Sequence, residues 1–370
     1  MWLKYLELKN FRNFSFKNFN FNNKKNIISG KNGAGKTSIL EAIFIFSSGK
    51  SFRSSDFFIP NYISDTYYIK GEFVKTESIS HTIEISYSKT DKRKKIKKDL
   101  SFINNFSDII GTIKTVLFIQ KDLSIIEGSP EIKRKFLNYL FSQIDKEYYL
   151  NLVKYNKILE SRNFVLKQED DSQKFKNIEI LNSPLIEYGS NIIFKRSQYI
   201  SALGRILSDE MKNINVTDVK CAKMKYINNV IDKTDRISLD EIKNNYIKKI
   251  EKNLQKEIIA GYSIFGPHRD NLIFESPQGY DLKEILSAGE KRIVALALKF
   301  SEFHFIKNRT DEQPIILMDD ILVELDKENR YIFIDFINKL DVQFFITSIN
   351  LNDYKEIKEK EVINLNGKSR

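Results

Sequence analysis

The chain has 370 residues, 41% of them apolar and 29% charged, which is enough to bury a sizeable core in two domains or lobes. Its 60 Lys and Arg against 49 Asp and Glu give +11, which suits a polyanionic partner such as nucleic acid, although Lys, Asn and Ile abound throughout and compositional drift would give the same excess. One cysteine, Cys221, excludes an intramolecular disulfide and thiolate-rich metal clusters, and His81, His268 and His304 lack metal-ligand spacing. No apolar run reaches the length of a membrane span, and a strand pattern from Met1 onward leaves no room for a signal peptide, so a cytoplasmic protein is expected.

In chain order, Leu3 to Phe21 reads as two short strands around Asn10-Phe11-Arg12-Asn13. Asn26 to Ser29 is a short buried strand, and Gly30-Lys31-Asn32-Gly33-Ala34-Gly35-Lys36-Thr37 follows it, the pattern of a phosphate-binding loop. Glycines let successive N–H groups turn onto a phosphate, and the next helix, from Ser38 to Phe46, adds its positive end. Lys36 would reach the β- and γ-phosphates and Thr37 would hold Mg2+. A chance glycine turn is the plain alternative, disfavoured by the strand before it and the helix after it. Lys50 to Asp56 is a polar loop able to reach back to the nucleotide, and Arg12 and Arg53 are candidates for contacting it; each could equally be an ordinary surface or lobe-bridging arginine. Residues 67 to 106 alternate in strand fashion, broken by the basic run Lys92 to Lys98, expected as a solvated hairpin tip or a DNA-phosphate contact.

Val116 to Ile119 is a buried strand that delivers Gln120 to the ligand-binding end of an α/β sheet, within reach of Mg2+ or the attacking water. Residues 122 to 265 carry long helical patterns, with a polar, mobile stretch at Gln168 to Gln173 and no sustained heptad seam. Gly266-Pro267-His268-Arg269-Asp270 returns the chain to a strand, and Leu286-Ser287-Ala288-Gly289-Glu290 opens an amphipathic helix with Ser287 as N-cap. Such a start can also receive a γ-phosphate presented by another subunit. Pro314 to Met318 is a buried strand capped by Asp319, which would order the Mg2+ shell, and Asp320, which could polarise the attacking water; a helix cap is the plainer reading of the pair. A last core strand, Gln343 to Ile346, exposes Thr347 and Ser348.

This ordered series resembles the ABC-type ATPase head shared by SMC-like DNA repair proteins, and more closely the RecF family of bacterial recombination mediators. The resemblance also covers Leu6 to Asn13, Glu127 to Leu137, Ser161-Arg162-Asn163, Gly266 to Asp270, and Glu324-Leu325-Asp326. It implies an α/β fold: an ATP-binding lobe from residues 1–121 and 266–370, with a mostly helical lobe, 122–265, inserted and no long coiled coil. It implies ATP and Mg2+ as cofactors, Gly30 to Ser38 at the nucleotide, the Ser287-Ala288-Gly289-Glu290 signature acting in trans, Glu324 and Asp326 as the D-loop, and Thr347 as a switch. The activity implied is an ATP-gated homodimer that binds double-stranded DNA near single-strand junctions, hydrolyses slowly, and works with RecR and RecO to help load RecA in DNA repair, replication and the SOS response, at the nucleoid. Glu290 departs from the Gly-Gln ending expected in the family and would set a carboxylate near the γ-phosphate; Asn271 and the missing tryptophan around Leu181 to Gly189 are further departures. The competing class is the ATPase subunit of a membrane transporter, disfavoured because about 250 residues separate Lys36 from Ser287, too many for its compact helical subdomain.

Overall fold

A computed structural model describes residues 1–76, 78–169, 172–214, 222–231, 237–321 and 327–365. Cys221, Glu324 and Asp326 lie outside the described residues, as does part of the Gln168 to Gln173 stretch. The chain divides into two compact units, Met1–Asp122 with Glu302–Arg370, and Leu123–Ser301.

The first unit is built on two sheets. One is a five-stranded parallel sheet of β3 (Lys25–Ser29), β8 (Thr115–Phe118), β11 (Ile315–Met318), β12 (Phe344–Ser348) and β13 (Lys360–Asn364), in the order β13-β3-β12-β11-β8. β3, β8, β11 and β12 are buried along their whole length, the mark of strands covered on both faces. The other sheet is antiparallel, β2-β1-β4-β5-β6-β7, formed by β1 (Trp2–Phe11), β2 (Phe14–Asn20), β4 (Thr66–Thr76), β5 (Ile79–Ser88), β6 (Arg93–Lys98) and β7 (Ser101–Ile103). Helix α1 (Lys36–Ser48) contacts β8, β11 and β12 of the first sheet and β4 of the second, which explains why it is apolar nearly all round.

The expected hairpin of β1 and β2 is present, with Leu6 opposite Phe19 and Phe11 opposite Phe14. The basic run, expected at a hairpin tip, is instead mostly a strand: β6 pairs with β5 from Ile83↔Lys98 to Ser88↔Arg93, and its last three residues also pair with β7. Period-2 alternation decides this, because Ile96 enters the core and Lys94 turns inward to meet Asp56 at 2.7 Å, while Arg93 and Lys95 face solvent.

Glu312 anchors the start of β11. It accepts from Lys114 at 2.6 Å and Lys75 at 2.8 Å. Burial pushes its carboxyl up, but the two ammonium groups outweigh burial and bring it down to about 2. Because the folded value lies below the unfolded one, the stabilisation is complete above pH 4.5 and is lost as pH falls towards 2. Discounted for screening at a partly exposed site, it is worth about 1–2 kcal/mol at neutral pH. Glu312→Gln should therefore lower the unfolding free energy by about that much at pH 7, and denaturant titrations should show the deficit closing below pH 4.

The second unit is mainly helical: α2 (Leu123–Glu127), α3 (Pro130–Ile144), α4 (Lys146–Leu166), α5 (Ser172–Ile214), α6 (Leu239–Ala260) and α7 (Leu282–Ile285). It also holds a two-stranded antiparallel sheet, β9 (Lys223–Ile227) with β10 (Asn271–Glu275). This pairing moves the return point. Expected at 266, it falls at 302, inside α8 (Ala288–Thr310), because β10 is hydrogen-bonded to a strand of the helical unit and packs on α3. The turn before β10 requires glycine: Gly266 has φ +125° and lies against the hydroxyls of Tyr155 and Tyr246, leaving no room for a Cβ.

A candidate nucleotide site

Residues 30 to 35 join the buried strand β3 to the N-terminus of α1, the strand, loop and helix expected. Gly35 caps the helix at φ +99°, and a Cβ there would strike the Phe14 ring and the Asn13 amide, so the loop is moulded on the β1–β2 turn. Asn13 also donates to the Gly33 carbonyl at 3.1 Å. Lys36 Nζ lies inside the loop, donating to the carbonyls of Gly30 at 2.7 Å and Lys31 at 3.1 Å.

Three strand ends meet beside it. The Thr37 hydroxyl at the start of α1 and the Thr347 hydroxyl of β12 both donate to Asp319 Oδ1, each at 2.9 Å, just beyond β11. The Asp320 N–H donates to Thr347 Oγ1 at 2.9 Å, which fixes Asp320 at φ +55°, a left-handed conformation that Asp tolerates better than most residues. β8 and β11 run in parallel register, Phe118 beside Met318, so Gln120 begins a short turn at the same sheet end. That end is where an α/β sheet presents its ligand site.

These residues line a cavity of about 780 Å3, together with Asn32, Gly33, Ser38, Arg12 and Arg53. A hydroxyl and a carboxylate oxygen in contact, with the Gln120 amide on the same wall, suit a hard oxygen-seeking cation such as Mg2+. Among the described residues there is no group of three or more His, Cys, Asp or Glu that could cage a metal alone, so phosphate and water would complete the shell.

Arg12 and Arg53, nominated together, differ. Arg12 grips the buried Glu41 of α1 through Nε at 2.9 Å and Nη2 at 2.5 Å, and also donates to Ser54 Oγ and the Phe58 carbonyl. Four of its five N–H donors are spent on the chain. Arg53 reaches Glu41 only at 3.4 Å and remains 45% exposed, so it keeps donors for a ligand. Glu41 itself escaped the sequence reading, though an acid among the apolar positions of a core helix was the available signal. Asn13, Phe52, Phe58 and Tyr62 also line the cavity and were not singled out for it; hydrophobic side chains beside a polar loop look like ordinary surface in sequence.

Ser287 to Glu290 belong to the other unit. Glu290 Oε2 accepts from Ser287 Oγ at 2.6 Å and from Ser287 N at 2.8 Å, while Glu290 N donates back to Ser287 Oγ at 3.3 Å, a reciprocal capping box. These bonds from Ser287 hold the Glu290 carboxyl below its ordinary range. The departure at Glu290 thus has a structural role in starting α8.

The RecF/RecN/SMC N-terminal domain model matches residues 2–368, and with the glycine loop, the paired carboxylates and the two-sheet core it defines an SMC-like, ABC-type ATPase head. A crystal structure of an Smc head bound to the C-winged helix domain of ScpA shares that fold, at a TM-score of 0.52 and 16% identity. Two curated relatives, each a DNA replication and repair protein RecF, match nearly end to end. That of Clostridium kluyveri is 33% identical over 360 residues, covering 96% of this chain and 95% of its own, and that of Oenococcus oeni 33% over 375 residues, covering 99% and 98%. A structure of the recombination mediator protein RecF with ATP in the RecFOR pathway superposes at a TM-score of 0.86 with 29% identity, over 98% of this chain and 97% of that one. The chain belongs to the RecF family.

Proposed function

We propose that this chain is an ATP-operated DNA clamp of recombinational repair and replication. Its loop, Gly30 to Ser38, holds the triphosphate of ATP; Lys36 bonds the β- and γ-phosphates, and Arg53 is the arginine free to reach the nucleotide. Thr37 and Gln120 would hold Mg2+ directly and Asp319 would order its shell, and the ion would supply positive charge against the phosphates. The observation that carries the reading is the convergence of Thr37 and Thr347 on Asp319 at the mouth of the loop cavity, which links the loop, the carboxylate strand and the switch strand in one set of hydrogen bonds. Ligand-driven movement of any one would be felt by the others.

In this reading the Ser287-Ala288-Gly289-Glu290 segment of a second copy closes on the γ-phosphate, so ATP joins two chains. Asp320 polarises the attacking water and Gln120 positions it. Asp is one methylene shorter than Glu, and Asp320 is tied by its own N–H to Thr347, so turnover is slow and the protein behaves as a switch. The closed pair binds double-stranded DNA near single-strand junctions and works with RecR and RecO to help RecA load in gaps. The basic balance of +11 supports contact with a polyanion. A DNA partner would place it in the cytoplasm at the nucleoid; among the described residues no helix is long and apolar enough to cross a membrane, and nothing observed favours the transporter reading.

The test is Asp320→Asn. With Mg2+ and ATP it should stay a dimer through many wild-type turnover times, with hydrolysis reduced about a hundredfold or more, as removal of a general base implies. Sedimentation showing a monomer in ATP would refute the scheme.

A further inference from the structure

The helical unit contains a second cavity, about 150 Å3, that the nucleotide reading does not use. One wall is a face of α3, where Glu131, Arg134, Lys135 and Asn138 recur at helical spacing. Asn156 and Tyr155 of α4, Arg196 of α5 and the Pro267-His268 turn close it.

Its charges do not balance. Arg196 is paired with Asp270 at 2.5 Å and Lys135 with Glu131 at 2.7 Å. Arg134 has no carboxylate partner; Nη1 donates to the main-chain oxygen of Asp270 at 2.7 Å, and among the described residues Nε and Nη2 have no acceptor. Burial and the neighbouring Arg196 hold its guanidinium below the ordinary range, as expected of a cation short of counter-charge.

The other groups offer donors rather than acceptors. Asn138 Oδ1 is consumed by Arg196 Nη2 and the Tyr148 hydroxyl, both at 2.8 Å, which leaves its amide N–H groups unspent. Asn156 makes no hydrogen bond among the described residues. His268 donates from Nε2 to the Ser263 carbonyl at 2.9 Å and accepts the Tyr155 hydroxyl on Nδ1 at 2.6 Å, and burial brings its imidazole down to about 4, so it stays neutral at physiological pH. Acceptors are present too, since Glu131 shares the wall and Asp270 Oδ1 is buried without a hydrogen bond, but the unspent N–H donors and a guanidinium outside any ion pair are complementary to a tetrahedral oxyanion.

We propose that this cavity binds one phosphate-type oxyanion, anchored by Arg134 and oriented by the amides of Asn138 and Asn156. Its source is either free phosphate or a phosphate of a nucleic-acid backbone. The site does not depend on the nucleotide reading.

The test uses the full chain carrying Lys36→Ala, so that the glycine loop does not report. Inorganic phosphate is titrated at constant ionic strength against chloride and followed by phosphorus NMR line broadening and thermal stability. Binding should weaken about tenfold on adding Arg134→Gln and about threefold on adding Asn156→Ala, as loss of a charged and of a neutral hydrogen bond predicts. Anisotropy of a labelled DNA duplex on the chain with native Lys36 separates the sources. If Arg134→Gln weakens DNA binding and lowers the salt slope by about one, the ligand is a backbone phosphate. If DNA binding is unchanged while phosphate binding falls, it is free phosphate. Should Arg134→Gln lose its native circular dichroism, Asn156→Ala carries the test. Phosphate binding that neither substitution alters, or no phosphate binding at all, overturns the proposal.

Discussion

Lys36→Ala is expected to lower ATP affinity about a hundredfold or more, the worth of one or two charge-assisted hydrogen bonds, and with it to abolish ATP-dependent self-association. The side chain sits where this can be tested cleanly. Its ammonium bonds only loop carbonyls, Gly30 and Lys31, so its removal breaks no carboxylate pair and should leave the unfolding free energy within about 1 kcal/mol of wild type. Calorimetric titration with ATP and Mg2+, set beside denaturant unfolding of the same variant, separates loss of the ligand from loss of the fold.

Arg162→Ala should have the largest effect on stability. Arg162 is fully buried and joins three segments: Nε donates to Asn182 of α5 at 2.8 Å, Nη1 to Ser263 at 2.7 Å, and Nη2 to Glu257 of α6 at 2.6 Å. Glu257 is equally buried and takes the Ile264 N–H on its other oxygen at 2.7 Å. Deleting the arginine strands a carboxylate out of reach of water, and the expected loss is about 3–5 kcal/mol. Pairing Arg162→Met with Glu257→Leu should recover most of it, because the desolvation cost leaves with the charge. Chemical unfolding of the single and double variants checks both statements. A single variant within 1 kcal/mol of wild type would show that the pair is not structural.

Features of this chain that are legible in the sequence are local, and those that are not are long-range. The glycine loop, the Ser287 helix start and the buried strand before Asp319 could all be read directly, since each is a short pattern whose chemistry and flanking periodicity lie within a dozen residues. The helical unit was expected from 122 to 265, and its end was misplaced because β9 pairs with β10 across a gap of more than 40 residues, which no local periodicity reveals. β13 completes the parallel sheet beside β3 and was also not anticipated, since four of its five residues are exposed and an exposed edge strand has little apolar alternation to display. Arg12 illustrates a different limit. Its position near the loop was legible, but its commitment to Glu41 depends on a buried acid on the facing helix, and the sequence does not show which of two nearby arginines that acid will hold.

The same distinction bears on mechanism. Thr37, Asp319 and Thr347 come from three places in the chain and touch through one carboxylate oxygen. That contact gives the loop and the switch strand a common mechanical link, and the signature segment of the other unit carries its own preformed cap in the Ser287–Glu290 box. On the proposed reading, the loop and the signature segment would each be preformed within a single copy, and the triphosphate would join two copies.

Whether ATP joins two copies is decided by sedimentation velocity of the full chain with Mg2+, with and without ATP, alongside duplex DNA binding under the same conditions. A monomer is expected without nucleotide, a dimer at saturating ATP, and tighter DNA binding in step with the dimer. A chain saturated with ATP that remains monomeric and binds DNA no more tightly would contradict that expectation.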